Sequence, residues 1–257
     1  MTSAISVIIP TYKEPEALDL CLQSAIQGQV HKNQIIVIVD GFYNINKHIL
    51  EKYKDKIDIL NLDENQGICR AMNLGTYNAS NELILHVNDD NVFPQNWDIL
   101  LKDAYNSNSV ITPNQIEPRP SMFRQFHIKD LGTKPSEFDL KQFWEYKIPV
   151  NIGEFINSWD YNGSTFPFMM HKFDYLKIGG MDESYPGSWV VDWEFFMKCQ
   201  MNGMKMIRTY NCHFYHFGSL ATASPEKQQL EQQCHDFAVY KWGTQIKHSP
   251  ESNLKYL

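Results

Sequence analysis

Three segments concentrate side chains able to do chemistry, and each follows an apolar run: Pro10-Thr11-Tyr12-Lys13-Glu14, Asp40-Gly41 and Asn88-Asp89-Asp90-Asn91. Two adjacent carboxylates on a tight turn, Asp89 and Asp90, can hold a hard divalent cation, Mg²⁺ or Mn²⁺, with phosphate oxygens and water completing its shell. The same four residues also read as an Asx-rich turn before a helix, since Asp and Asn are ordinary turn formers. A carboxylate at Asp40 can accept the ring N3–H of uracil or thymine, or the N1–H of guanine; adenine and cytosine lack that donor. A solvated strand-end acid is the alternative there. Asn65-Gln66-Gly67 precedes a helix bearing Arg70 and Asn73, and a helix amino terminus opened by Gly favours a nearby phosphate. A plain turn and cap explains it equally.

The elements that must place these groups alternate over the first hundred residues. Runs 5–10 (ISVIIP), 34–39 (QIIVIV), 57–62 and 82–87 (ELILHV) are β-branched or apolar, as strands buried on both faces require. Between them the spacing predicts a helix opened by Pro15 with an apolar face through Ile26, helices at about 46–53 and 67–79, and a further helix at 94–105. Such alternation implies a mostly parallel sheet covered on both faces, with ligands beyond the carboxyl ends of its strands. The stretch 117–163 is rich in aromatics, among them Phe123, Phe138, Phe143, Trp144, Tyr146, Trp159 and Tyr161, and shows no clean alternation. Ser136 with Asp139 three residues on predicts a capping box for a helix through 146. Segments 166–171 and 205–216 read as strands, 192–201 as a helix, and Ser224-Pro225 as the start of a last helix to about 242.

Composition limits the function classes. The chain has 257 residues, 23 Lys+Arg against 30 Asp+Glu and a net charge of -7, which opposes a general nucleic-acid partner. No apolar run reaches the roughly 18 residues of a membrane span. The amino terminus shows no basic n-region or cleavage site, and the five cysteines form no C-x-x-C. A cytoplasmic protein with free thiols is the expectation. G-x-G-x-x-G after the first strand and G-x-x-x-x-G-K-[ST] are missing, which disfavours dinucleotide oxidoreductases and P-loop NTPases.

SVIIPTYKE, IIVIVDG, NQGICRAMN, HVNDDN, GGMDESYPGSWVVDWEF and FYHFGS, in this order from Ser6 onward, resemble the family 2 glycosyltransferases of GT-A fold. The resemblance implies an α/β, Rossmann-like, mostly parallel sheet flanked by helices with an elaborated acceptor-side carboxyl half. It implies one domain over 1–257, with a nucleotide-sugar half (1–116) and an acceptor-binding and catalytic half (117–257). Pro10, Thr11, Tyr12, Glu14, Gly67 and Asn73 should line the donor pocket, with Asp40 on the base and Asp89 toward the ribose or sugar. Asp90 should ligate Mn²⁺ or Mg²⁺, and His216 completes the metal shell or touches a phosphate, as this position does in some relatives. A satisfied structural histidine is the other reading of His216. Asn88 stands where the family usually has its first Asp, so Asp89 and Asp90 are both open to either role.

Asp192 falls on the family's general base. Val191 replaces the Glu before it, which leaves Glu194 as a rival. Two residues apart at a helix start, Asp192 and Glu194 point in different directions, and only one should face the donor. A plain helix amino-terminal charge would also explain Asp192. The implied activity is inverting, metal-dependent transfer of one sugar from a nucleoside diphosphate sugar, a UDP-sugar by default, to a saccharide or other hydroxyl acceptor. The family's processive synthases carry Q-x-x-R-W and membrane helices, neither of which occurs here. A non-catalytic nucleotide-sugar or glycan-binding module is the alternative. A sugar nucleotidyltransferase would need a Gly-rich basic loop that TYKEPEAL lacks.

Overall fold

The structure, a computed structural model, describes residues 4–119, 127–148, 165–218 and 225–247, the first three of the last segment by backbone alone. Its amino half alternates β1 (Ile5–Thr11), α1 (Pro15–Gly28), β2 (Gln34–Asp40), α2 (Tyr43–Tyr53), β3 (Asp58–Leu62), α3 (Ile68–Asn78) and β4 (Leu83–His86). There follow β5 (Asn91–Val92), α4 (Trp97–Ala104), β6 (Ser109–Glu117), β7 (His127–Ile128), α5 (Leu140–Glu145) and β8 (Phe168–His171). The carboxyl part adds α6 (Lys172–Lys177), α7 (Val191–Met201), β9 (Lys205–His216) and α8 (Pro225–Trp242).

The strands form one sheet in the order β3-β2-β1-β4-β8-β6-β9-β5, with β7 beside β6. Among the described strands, only β8 and β5 run against the rest. Side chains alternate between its faces with the strand period of two. Ile5, Val7 and Ile9 pack with α1 and α4 on one face, while Ile8, Ile36 and Ile38 pack with α3 and α7 on the other. Close approach of α3 requires Gly75, where a Cβ would lie 2.5 Å from Ile8 Cγ2.

The crossover helices carry β2 and β3 to one side of β1 and β4 to the other, so the sheet's switch point lies between β1 and β4. Their pairing stops at Ile8–His86, and the two chains diverge beyond it. Pro10 lies past that last β4 partner, where a missing N–H costs the ladder nothing. The divergence opens the crevice that Thr11 and Asn88–Asp90 border.

Several expectations need correction. The fourth helix begins at Trp97 rather than 94, because Pro94 only leads into it, and the second begins at Tyr43 rather than 46. Asp139, not Ser136, is the cap of α5: its Oδ1 accepts from Lys141 N at 2.9 Å and Gln142 N at 3.1 Å. Strand β6 was not expected at all. It is buried along its full length yet carries Thr112, Asn114, Gln115 and Glu117, polar residues that hide a strand from an apolar-run reading. Phe138, Phe143, Trp144 and Tyr146 pack with Tyr215 and Phe217 in a third apolar cluster. Phe123, Trp159, Tyr161 and the Ser224 cap lie outside the described residues.

Candidate functional site

A cavity of about 760 Å³ occupies the switch-point crevice. The end of β1 supplies Pro10, Thr11, Tyr12 and Glu14; β2 supplies Asp40; the α3 approach supplies Gln66 and Gly67; and the turn after β4 supplies Asn88, Asp89 and Asp90. The far wall comes from Glu183, Tyr185, Gly187 and Leu230 of the carboxyl half. Among the described lining residues, Glu14, Asp40, Asp89, Asp90 and Glu183 face one basic side chain, Lys13. Lys13 itself is held at the rim, its Nζ 3.9 Å from the centre of the Phe42 ring and 4.7 Å from that of Tyr12.

Each carboxylate is fixed by a different partner. Asp40 is buried, and its Oδ1 and Oδ2 accept from the backbone N–H of Gln66 at 2.6 Å and of Gly67 at 2.9 Å. Burial raises its pKa, and the two N–H donors hold the rise back. Gly67 N–H, the expected phosphate donor, is thus already engaged by Asp40, and by Asn65 Oδ1 at 2.9 Å. Asp89 Oδ2 accepts the Thr11 hydroxyl at 2.7 Å. Burial and the adjacent Asp90 push Asp89 up to about 7.

Asp90 moves the other way. Burial opposes its ionisation, but the attraction of His216 and a hydrogen bond from it outweigh that cost, and the carboxyl lies below its usual range. His216 Nε2 stands 3.4 Å from Asp90 Oδ2, and Nδ1 is 2.9 Å from Glu117 Oε1. Burial works against the imidazolium, yet the two carboxylates hold its pKa up at about 10.

Among the described residues no cluster of three or more His, Cys, Asp or Glu side chains makes a ready-made metal cage. The donor set nonetheless fits a hard cation that takes most of its shell from phosphate and water. Asp90 Oδ1 is buried without a hydrogen-bond partner, an arrangement that a ligand or cation would relieve, and an imidazole nitrogen stands beside the same carboxyl.

Asp192 sits in the first turn of α7, part-buried, with Oδ1 accepting from Trp193 N at 3.0 Å. It is not in the cavity wall. Burial raises its carboxyl to about 7. Glu194, its rival, requires correction as a base: it is 1% exposed and its Oε1 is ion-paired with Lys241, because the helix turns it into the core. The same ammonium holds Asp182 Oδ2 at 2.6 Å. Asn73 is likewise corrected. It lies outside the cavity, buried, with Nδ2 donating to Met181 O and Glu183 Oε1 and Oδ1 accepting from Tyr175 OH and Met181 N. It ties α3 to the loop that carries Glu183. Glu117, Lys241 and Tyr185 were not foreseen. Glu117 closes the unrecognised β6, and the pairing of Lys241 with Glu194 spans 47 residues with no local pattern.

Residues 6–156 match the family model described as Glycosyl transferase family 2. The chain belongs to glycosyl transferase family 2. Curated relatives in this family's range include a cholesterol galactosyltransferase of Borreliella burgdorferi, 29% identical over 114 residues, which are 43% of this chain and 32% of that one. Glycosyltransferase AglE of Haloferax volcanii is 31% identical over 99 residues, 36% of this chain and 32% of the relative. A teichoic acid poly(glycerol phosphate) polymerase of Staphylococcus epidermidis is 21% identical over 84% of this chain and 28% of its own. The chain therefore spans about a third of the length of these relatives. The S. aureus TarS structure 1–349 superposes with a TM-score of 0.60 at 13% identity, over 98% of this chain and 77% of that one. GalNAc-T7 with UDP, GalNAc and Mn²⁺ gives 0.59 at 12% identity, over 83% of this chain and 44% of that one. The fold is of GT-A type, and among the described residues of this family member no helix is long and apolar enough to cross a membrane.

Proposed function

We propose that this family 2 chain transfers one sugar, with inversion, from a nucleoside diphosphate sugar to a saccharide or other hydroxyl acceptor. Mn²⁺ or Mg²⁺ is the cofactor and a UDP-sugar the favoured donor. The observation that carries this reading is the Asp90 carboxyl at the switch point, with one buried oxygen unpartnered and the other beside His216. Asp90 and His216 would hold the cation. When bound, it offsets the negative charge that grows on the departing diphosphate.

The remaining steps fall to the chain's own side chains. Asp40 is held rigidly by two backbone N–H groups, and each of its oxygens keeps a second lone pair to accept a ring N–H of the base. Asp89, steadied by Thr11, faces the ribose or sugar. Asp192 takes the proton of the acceptor hydroxyl as that oxygen attacks the anomeric carbon opposite the diphosphate. A base with a pKa near 7 is matched to neutral pH, where it is substantially ionised yet still a competent acceptor. Residues 1–116 serve the donor and 117–257 the acceptor and catalysis.

A panel of nucleoside diphosphate sugars incubated with Mn²⁺ tests this. One donor should release its nucleoside diphosphate slowly to water, and Asp192→Asn should cut that release about 10²–10⁴-fold. No release from any donor, with Asp192→Asn unchanged from wild type, would leave a binding module rather than an enzyme.

A further inference from the structure

His216 takes its position from two carboxylates that reach it from different strands. Strand β5 pairs antiparallel with β9, Asn91 opposite His216, so Asp90 one residue earlier stands beside the imidazole. Strand β6 runs parallel to β9, Ile116 opposite Tyr215, so Glu117 at its end meets the ring from the other side. The Glu117 side chain is 9% exposed and lies 2.9 Å from Nδ1 through Oε1; neither it nor His216 is part of the cavity wall, which Asp90 lines in front of the imidazole. Its contact with a cation held at Asp90 runs through the imidazole.

We propose that Glu117 is a positioning residue: by accepting Nδ1–H it orients the His216 ring and leaves Nε2, on the Asp90 side, as the nitrogen that gives up its proton to a cation. The proposal rests on the metal-dependent reading above. A histidine serving a cation must present an unprotonated nitrogen, and a neutral ring without a partner divides its proton between both nitrogens. A carboxylate on the far nitrogen selects one form, orients the ring and makes the ligand nitrogen more basic. A merely structural staple between β6 and β9 is not needed there, because backbone pairing joins them from Ser109–Lys205 to Pro113–Thr209 and, past a register shift, from Asn114–His213 to Ile116–Tyr215.

Calorimetric titration of Mn²⁺ alone into wild type, Glu117→Gln, His216→Ala and the double variant tests it. Glu117→Gln keeps the shape and should weaken Mn²⁺ binding about 10–100-fold. The double variant should bind no more weakly than His216→Ala, since Glu117 acts through the ring. Wild-type affinity in Glu117→Gln with a weakened His216→Ala overturns the positioning role alone, as does a double variant whose losses add. Wild-type affinity in His216→Ala removes the histidine from the cation site, and the metal reading at His216 falls with it. Nitrogen NMR of the wild-type, Mg²⁺-loaded protein needs no variant: a proton on Nδ1 is expected, and a proton on Nε2 overturns the proposal.

Discussion

In the amino half, Asp40 and Asp89 are held by backbone and near-strand contacts; in the carboxyl half the polar groups of the site are held by ion pairs between distant segments. Asp40 rests on the N–H groups of Gln66 and Gly67, and Asp89 on the hydroxyl of Thr11 across the β1–β4 crevice. Glu194 and Asp182 share Lys241 from α8, Glu183 meets Arg70, and His216 meets Glu117. The first mode follows from a parallel register that brings strand ends together in any such sheet. The second depends on individual side chains finding each other, and single substitutions should undo it.

The largest expected effect separates Asp192 from the ion-paired acids around it. Asp192→Asn should lower the transfer or donor-hydrolysis rate about 10²–10⁴-fold without unfolding the protein. The wild-type rate should rise with pH through about 7 as Asp192 ionises. Its stability effect runs in the opposite direction. Folding raises this carboxyl from 3.8 to about 7, so the folded state holds the proton more tightly than the unfolded one. The resulting stabilisation is complete below pH 4 and is lost as pH rises through 7. Asp192→Asn should therefore melt above wild type at pH 8, with the gap closing by pH 4 in thermal scans.

Lys241→Ala should be the most damaging change to the carboxyl-half packing. It leaves Glu194, 1% exposed, without its counter-charge. Breaking a fully buried pair costs about 3–5 kcal/mol, and the one-third exposure of Lys241 reduces the expectation to about 2–3 kcal/mol in denaturant unfolding. Thr11→Val probes the amino half. Losing a hydroxyl bond to Asp89 should weaken donor binding about tenfold and move the Asp89 carboxyl further above 7 in an NMR titration. The smallest effect belongs to Lys52→Ala, whose partner Asp19 sits at the surface; about 0.2–1 kcal/mol is expected in the same unfolding assay. If Lys52→Ala cost as much as Lys241→Ala, the contrast between the halves would fail.

That contrast also explains what the residues disclosed on their own. Strands β1 to β4 and their turns were legible because buried parallel strands are short apolar runs with polar punctuation at their ends, as in ISVIIPTYKE and ELILHVNDD. The cavity is lined by Pro10, Thr11, Tyr12, Glu14, Asp40, Gly67, Asp89 and Asp90. Strand β6 was hidden because its polar residues lie inside, not at the surface, and Glu117 was lost with it. Asn73 looked like a donor contact from its place on α3, but Gly180 is where the chain folds back onto it. That glycine has φ +62, and a Cβ there would lie 2.5 Å from Asn73 Oδ1, a proximity across more than a hundred residues that carries no local signal. The core position of Glu194 was hidden for the same reason, since its partner Lys241 belongs to another helix.

The central claim is that the acidic crevice binds a nucleoside diphosphate through a cation held at Asp90. Calorimetry of UDP with and without Mn²⁺ on wild type and Asp90→Asn tests it most directly. The account predicts Mn²⁺-dependent UDP binding in wild type and its loss in Asp90→Asn; equal, Mn²⁺-dependent affinity in the two proteins would contradict it.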